Sequence, residues 1–170
     1  FKVCFEGCQD IDHAGVRIHD LGFRARVREV DGKPQRGFQV YVGGGLGGSP
    51  SLGVLWTDFL PVEDMLPFSA AVIRIFDRYG ERKVRMKARM KFLVRSLGWE
   101  EFRKRVEEEW AALEVDPSWN DYLKTIPENE TPPAYNPDLI PQAPEGIEND
   151  PGYIEWKKLN VLPHALPDYA

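Results

Sequence analysis

A glycine-rich stretch at Tyr41–Pro50 is the first part of the chain whose composition could support chemistry. Five of the six positions from 43 to 48 are glycine, namely Gly43, Gly44, Gly45, Gly47 and Gly48. Because glycine has no Cβ, backbone N–H groups there can closely approach a phosphate, a carboxylate or the face of a cofactor. The spacing matches neither the GxGxxG fingerprint nor a P-loop. A hairpin or a plain flexible loop is therefore an open alternative.

The segment Arg82–Arg95 is a second candidate, because it carries seven basic residues and no acidic one. Apolar residues recur in it at helical spacing, which predicts a single helix with a buried stripe. The stripe consists of Met86, Met90, Leu93 and Leu97. Neighbouring like charges repel one another unless something neutralises them. The segment is therefore either a solvated basic helix or a site for a polyanion, such as nucleic acid or a cofactor with several carboxylates.

Two further sets are weaker candidates. The first set is Cys4, Cys8, His13 and His19. Their C-x3-C and H-x5-H spacings fit a structural zinc site poorly, so free thiols and loop histidines are the default interpretation. The second set is Arg24, Arg26 and Arg28, which share one face of an alternating segment. That face is either solvated surface or part of an anion site.

Local patterns predict the elements that position these residues. Alternation of apolar and polar residues predicts three strands, the last two joined as a hairpin by a turn at Asp31–Pro34. The strands are Phe1–Phe5, Phe23–Val30 and Arg36–Val42. Pro61 and the acids after it predict a helix start, and an apolar stripe from Met65 to Tyr79 follows at helical spacing. A further helix is predicted at Glu100–Leu113. The expected fold is α+β, a mixed sheet with helices packed on it, followed by an extended proline-rich arm.

Charge is distributed unevenly along the chain. The 170 residues carry a net charge of −5, but up to Trp110 there are 19 Lys/Arg against 16 Asp/Glu, and from Ala111 onward 3 against 11. This asymmetry, with the prolines that follow Asp116, marks a boundary. Two cysteines and no apolar run of about 20 residues predict a reducing, cytoplasmic setting without a membrane span. Because Phe1 already looks like mid-strand, we expect a piece of a longer polypeptide.

Several stretches, in order and spacing, together resemble the siroheme-containing nitrite/sulfite reductases. They are Phe1-Lys2, Phe5–Cys8, Ile18–Phe23, Gly37-Phe38, Val42–Gly47, Phe59–Pro61, Arg85-x3-Arg89-x-Lys91-Phe92 and, near the end, Trp156–Val161. The resemblance implies that residues 1–113 are part of the siroheme-site domain of the first half of such a reductase. It also implies that residues 114–151 are a linker and that residues 152–170 begin the next ferredoxin-like (parachute) half-domain.

The resemblance also implies an activity and a set of site residues. The activity is the six-electron reduction of sulfite or nitrite at siroheme coupled to a 4Fe-4S cluster, with electrons from a donor such as ferredoxin. Lys2 matches a lysine that faces the substrate anion, and the glycines from Gly43 to Gly47 match a loop that approaches the macrocycle. Arg85, Arg89 and Lys91 match cations that hold siroheme carboxylates. The cluster ligands are expected in the remaining half of the reductase, so this chain alone should not turn over.

A nucleic-acid binding module is the alternative from another functional class. It would use Arg82–Arg95 and the arginine face of the strand Phe23–Val30. The acidic tail and a pI near 5.3 count against this hypothesis.

Overall fold

A computed structural model describes residues 1–114, 116–126 and 144–161. The chain divides into two compact units, Phe1–Leu123 and Lys124–Ala170. The first unit holds the sheet, three α-helices and the candidate site residues, whereas the second holds one described α-helix.

The sheet of the first unit has four strands in the order in which they occur along the chain. They are β1 (Val3–Glu6), β2 (Leu21–Val30), β3 (Lys33–Val42) and β4 (Val54–Pro61). β1 pairs with β2 in parallel, and the other two pairings are antiparallel. The sheet is therefore mixed, which confirms the expected α+β class.

The β2–β3 hairpin confirms the turn predicted from the sequence. Val30 pairs with Lys33, so the connection has two residues. Asp31 and Gly32 both have positive φ, at 51° and 73°. Aspartate and glycine tolerate that conformation better than other residues, and two such residues match the right-handed twist of the strands.

Three helices of the first unit contribute to the core: α1 (Met65–Tyr79), α2 (Met90–Leu97) and α3 (Trp99–Ala111). The core cluster comprises Leu21, Phe23, Val40, Val42, Trp56, Leu60, Phe68, Ala71, Val72, Ile75, Phe76, Met90, Leu93, Val94, Phe102 and Val106. The predicted stripe of α1 is buried from Phe68 to Phe76, but Tyr79 at the end of the helix is half exposed.

The prediction of one helix over Arg82–Arg95 is wrong in its first half. Residues Arg85–Lys87 form a short 3-10 turn, and α2 begins only at Met90. Met86, expected in the core, is 88% exposed. Arg89 has extended backbone angles (φ −139°, ψ 148°), so it precedes the helix and does not share a helical face with Arg85. Because α2 begins only at Met90, the cations from Arg82 to Arg89 are not aligned along one helical face.

The remaining described segments are short. Pro117–Thr125 forms 3-10 turns, and residues 115 and 127–143 of the expected extended arm lie outside the described residues. In the second unit, the described α-helix is α4 (Pro151–Asn160), which includes Trp156. Asp150 caps α4 by accepting a hydrogen bond from the Tyr153 N–H at 2.8 Å. In the described ranges, no helix has the length and apolar character to cross a membrane.

An aromatic cluster ties the helices to the sheet and provides a test of the core. The Phe68 ring is fully buried and lies 5.0 Å from the Trp56 ring and 5.4 Å from the Trp110 ring, centroid to centroid. We expect Phe68→Ala to lower the free energy of unfolding by about 3–5 kcal/mol, measured by urea denaturation. Ile73→Ala is the control, because Ile73 on the same helix is 45% exposed. Equal losses in the two variants would contradict this description of the core.

Candidate functional site

The carboxylate of Asp20 lies at the centre of the candidate site. Asp20 directly precedes β2 and is completely buried. Its Oδ2 accepts the backbone N–H of Lys2 at 2.8 Å, and its Oδ1 accepts that of Met90 at 3.1 Å. The Arg89 Nε donates to both oxygens at 3.0 Å. One carboxylate thus joins the start of β1, the start of β2 and the start of α2.

Asp20 also acts as a remote cap for α2. Arg89 holds the N-cap position but makes no side-chain capping bond, so the first helical N–H, that of Met90, is satisfied by Asp20 instead. A carboxylate at this end is favoured by the helix dipole, and it also neutralises the adjacent arginine. Sequence reasoning missed Asp20. The only signal for it was the acid-free basic segment, which required a partner elsewhere.

Arg89 keeps part of its hydrogen-bonding capacity free. Its side chain is 26% exposed, and one of its terminal nitrogens lies beside Gly45, 3.2 Å from where a Cβ would stand. Within the described ranges, neither terminal nitrogen has a hydrogen-bond partner. Arg89 can therefore bind an anion beside the glycine loop while Asp20 holds its Nε.

The first three glycines form the buried root of the loop, defined here as Gly43–Gly45. Their N–H groups donate to the backbone oxygens of Asp20, His19 and Ser51 respectively, at 2.8–2.9 Å. A Cβ on Gly44 would lie 2.2 Å from the oxygen of Arg17. The root is therefore glycine because the backbone of residues 17–20 packs against it, and its N–H groups are not available to a ligand.

The exposed tip of the loop is Leu46–Ser49, and it contains the other two glycines. Nothing lies within 4 Å of a Cβ built on Gly47 or Gly48, and Gly47 has φ +94°. Neither N–H has a partner among the residues that the structure describes. The tip, rather than the root, therefore has backbone donors to offer a ligand.

Lys91 lies beneath this tip. Its side chain is 3% exposed, and its Nζ donates to the backbone oxygens of Leu46 and Ser49, both at 2.7 Å. Burial lowers the pKa of the Lys91 ammonium from its ordinary value, and the neighbouring charges of Arg89 and Arg95 lower it further. Two of its three protons are thus committed to the loop itself.

Lys2 and Arg85 are the most accessible of the predicted site cations. Both side chains are exposed, and neither has a hydrogen bond or ion pair in the part of the chain that is described. The backbone of Lys2 is fixed by Asp20, close to Arg89. Arg85 begins the short 3-10 turn that precedes Arg89 in the chain.

Most residues of the two weaker candidate sets contact or belong to the loop that follows β1. The buried Glu6 carboxylate accepts N–H groups from Cys8, His13 and Ala14, and these bonds hold its pKa below the ordinary value. Arg24 and Arg26 donate to the backbone oxygens of Cys8 and Gln9 in the same loop. No group of three or more potential metal ligands occurs in the described ranges.

Comparisons with known proteins agree with the expected family. A family model described as the nitrite and sulphite reductase 4Fe-4S domain matches residues 1–113. Sulfite reductase [ferredoxin] 1 of Mycolicibacterium paratuberculosis is 36% identical over 110 residues, which cover 65% of this chain and 19% of that protein. The assimilatory ferredoxin-dependent nitrite reductase of Haloferax mediterranei is 32% identical over 120 residues, or 69% of this chain and 20% of that protein.

A solved structure matches the same region. The NirA protein of Mycobacterium tuberculosis superposes with a TM-score of 0.53 at 32% identity, covering 65% of this chain and 19% of that one. The chain thus spans about a fifth of the length of the curated relatives that it matches.

Replacing Asp20 tests whether one carboxylate organises the site. Three N–H donors face this carboxylate, so the asparagine side chain of Asp20→Asn must turn its own NH2 group towards at least one of them. The substitution also removes the negative charge that neutralises Arg89. We expect the free energy of unfolding to fall by roughly 3 kcal/mol in urea denaturation. The control is Asp77→Asn, since Asp77 is 80% exposed in its ion pair with Arg82. A loss no larger than the control's would show that Asp20 does not organise the site.

Replacing glycines one at a time tests the division of the loop into root and tip. Gly44→Ala should be strongly destabilising, because its Cβ would collide with backbone. Gly48→Ala should change the unfolding free energy by less than about 1 kcal/mol, since the space around it is open. Thermal unfolding of both variants measures the difference. Similar melting temperatures would mean that the root is not packed as described.

Proposed function

Because the chain belongs to the nitrite and sulphite reductase 4Fe-4S domain family, we propose that it is part of a siroheme-dependent assimilatory reductase. The reaction is the six-electron reduction of sulfite to sulfide or of nitrite to ammonia. The observation that carries the proposal is the arrangement around Asp20, which places Arg89 at the glycine loop and fixes the backbone of Lys2 beside it. The chain itself contributes binding residues and is not expected to turn over alone.

The residues at the glycine loop fit a tetrapyrrole with several carboxylates. Arg89 has terminal nitrogens without partners, and Arg85 is an exposed guanidinium that forms no ion pair in the described part. Guanidinium groups bind carboxylates with paired, charge-assisted hydrogen bonds. Gly47 and Gly48 let a flat ring approach the backbone, and Gly43, Gly44, Gly45 and Lys91 support that tip from behind.

The cysteines of this chain do not fit an iron–sulfur cluster. A 4Fe-4S cluster takes four cysteine thiolates, and the sequence has two cysteines. The Cys4 sulfur lies 3.4 Å from the backbone oxygen of Ala14, and the Cys8 sulfur accepts the Ile11 N–H. The remaining half of the reductase therefore supplies the cluster ligands in our proposal, and this chain supports the siroheme side of the centre.

Lys2 is the residue that we assign to the substrate. When bound, siroheme and the cluster would carry electrons from the donor to the substrate. The exposed ammonium of Lys2 attracts the oxyanion and can deliver a proton from its Nζ. Asp20 holds the backbone of Lys2, so the position of its Cα is fixed while the side chain can reach towards the anion.

The wider assignments follow from the same proposal. Residues 1–113 are part of a siroheme-site domain, residues 114–151 are a linker, and residues 152–170 begin the next half-domain. Ferredoxin is the proposed electron donor because two relatives carry it in their names, and the proposed location is the cytoplasm. The nucleic-acid hypothesis gains no support from the comparisons, and Lys91 of its basic segment is buried.

Arg85 offers a direct test because its removal should not disturb folding. We expect Arg85→Ala to lower the affinity for siroheme roughly tenfold, which corresponds to one lost charge-assisted hydrogen bond. The chain would be co-expressed with the rest of the reductase and the siroheme synthesis enzymes. The siroheme content of the purified protein is measured after extraction. Titration of the cofactor-free protein with free siroheme then gives the affinity.

Lys104→Ala is the matched control for this experiment. Lys104 is also an exposed cation, but it lies on α3 in a loose 3.9 Å pair with Glu108. Its removal should leave siroheme content unchanged. If Arg85→Ala binds siroheme as tightly as this control does, Arg85 does not hold the cofactor.

A further inference from the structure

Two cations of α2, Lys91 and Arg95, donate hydrogen bonds to the tip of the glycine loop and to Pro50 beside it. The Lys91 ammonium binds the backbone oxygens of Leu46 and Ser49, the first and last residues of the tip. The ammonium therefore links the two ends of the tip. Leu46 itself is 59% exposed and supplies little packing.

Arg95 lies one turn further along the same helix face and continues this arrangement. One of its terminal nitrogens donates to the Ser49 hydroxyl at 2.6 Å, and the other donates to the backbone oxygen of Pro50 at 3.0 Å. Ser49 is thus held by both cations. No carboxylate is among these partners, so the two positive charges are used to bind loop oxygens rather than to form ion pairs.

A loop of this composition needs such restraint. Glycine loses more conformational freedom on ordering than any other residue. Nothing lies within 4 Å of a Cβ built on Gly47 or Gly48, and an isolated backbone bridge near the tip joins Gly45 to Ser51. Burying an ammonium is unfavourable, and bonds from Lys91 to two carbonyl oxygens offset that cost.

We propose that Lys91 and Arg95 form a clip that fixes Leu46–Ser49 in one conformation, so that the N–H groups of Gly47 and Gly48 stay available to an anionic ligand. Both are positioning residues that act through the loop, and Arg95 has no role in the site as assigned above. For the ligand class the inference rests on the proposed function, which makes the ligand a carboxylate of siroheme. The clip itself is a property of this chain with or without the cofactor.

Hydrogen exchange of the cofactor-free chain tests the clip. The variant is Arg95→Met, which keeps the aliphatic length, removes the donors and changes an exposed residue. The amides of Gly45 and Ser51, which bond to each other's carbonyls, report on the loop. We expect them to exchange about tenfold faster than in the unchanged chain, while the amides of α1 and α3 keep their rates.

Arg103→Met is the matched control. Arg103 on α3 also donates from its guanidinium to a backbone oxygen, that of Trp56 at 3.1 Å, but it does not contact the loop. Its removal should leave the exchange rates of the Gly45 and Ser51 amides unchanged. Arg95→Lys should restore part of the protection, because one donor remains. Unchanged exchange at Gly45 and Ser51 in Arg95→Met would overturn the clip.

A second measurement separates the clip from the proposed function. In the co-expressed reductase, Arg95→Met should weaken siroheme binding several-fold, and Arg95→Lys should recover part of it. Faster loop exchange with unchanged siroheme binding would overturn the positioning role. If the unchanged protein takes up no siroheme, the proposed function is wrong. The exchange rates of the cofactor-free chain still show whether the clip fixes the loop.

Discussion

The burial of the Asp20 carboxylate is the constraint on which the arrangement of the site depends. A buried carboxylate is tolerated only when its oxygens are bonded and its charge is compensated, and here Arg89 and two backbone N–H groups meet both needs. Arg89 and Met90 lie 69 and 70 residues from Asp20 in the sequence, whereas Lys2 lies 18 residues from it on the other side. Satisfying one carboxylate therefore fixes where the basic segment can lie relative to the first two strands.

The position of the glycine loop also depends on Asp20. The backbone oxygens of His19 and Asp20 accept the N–H groups of Gly44 and Gly43, so Asp20, which binds Arg89, also holds the root of the loop together with its neighbour His19. The glycine cluster thus serves two purposes. In the root, the missing side chains allow backbone to pack on backbone, and in the tip they leave an open surface next to the cations of α2.

Local patterns were enough to predict the hairpin at Asp31 and the buried stripe of α1, since both depend on residues near one another in sequence. They did not reveal β4, because irregular pairing with β3 between Phe38 and Tyr41 breaks the alternation. They overextended the basic helix, since the spacing of Met86 is helical but its side chain is exposed. The contact of Asp20 with Arg89 spans the fold, so no local pattern could show it.

An experimental structure of the complete reductase with siroheme bound is the most direct test of the central claim. We expect Arg89 to keep its Nε on Asp20 while a terminal nitrogen lies within hydrogen-bond distance of a siroheme carboxylate. The tip from Leu46 to Ser49 should lie against the macrocycle. A structure in which Arg89 turns into bulk water, or in which siroheme binds away from the glycine loop, would contradict the claim.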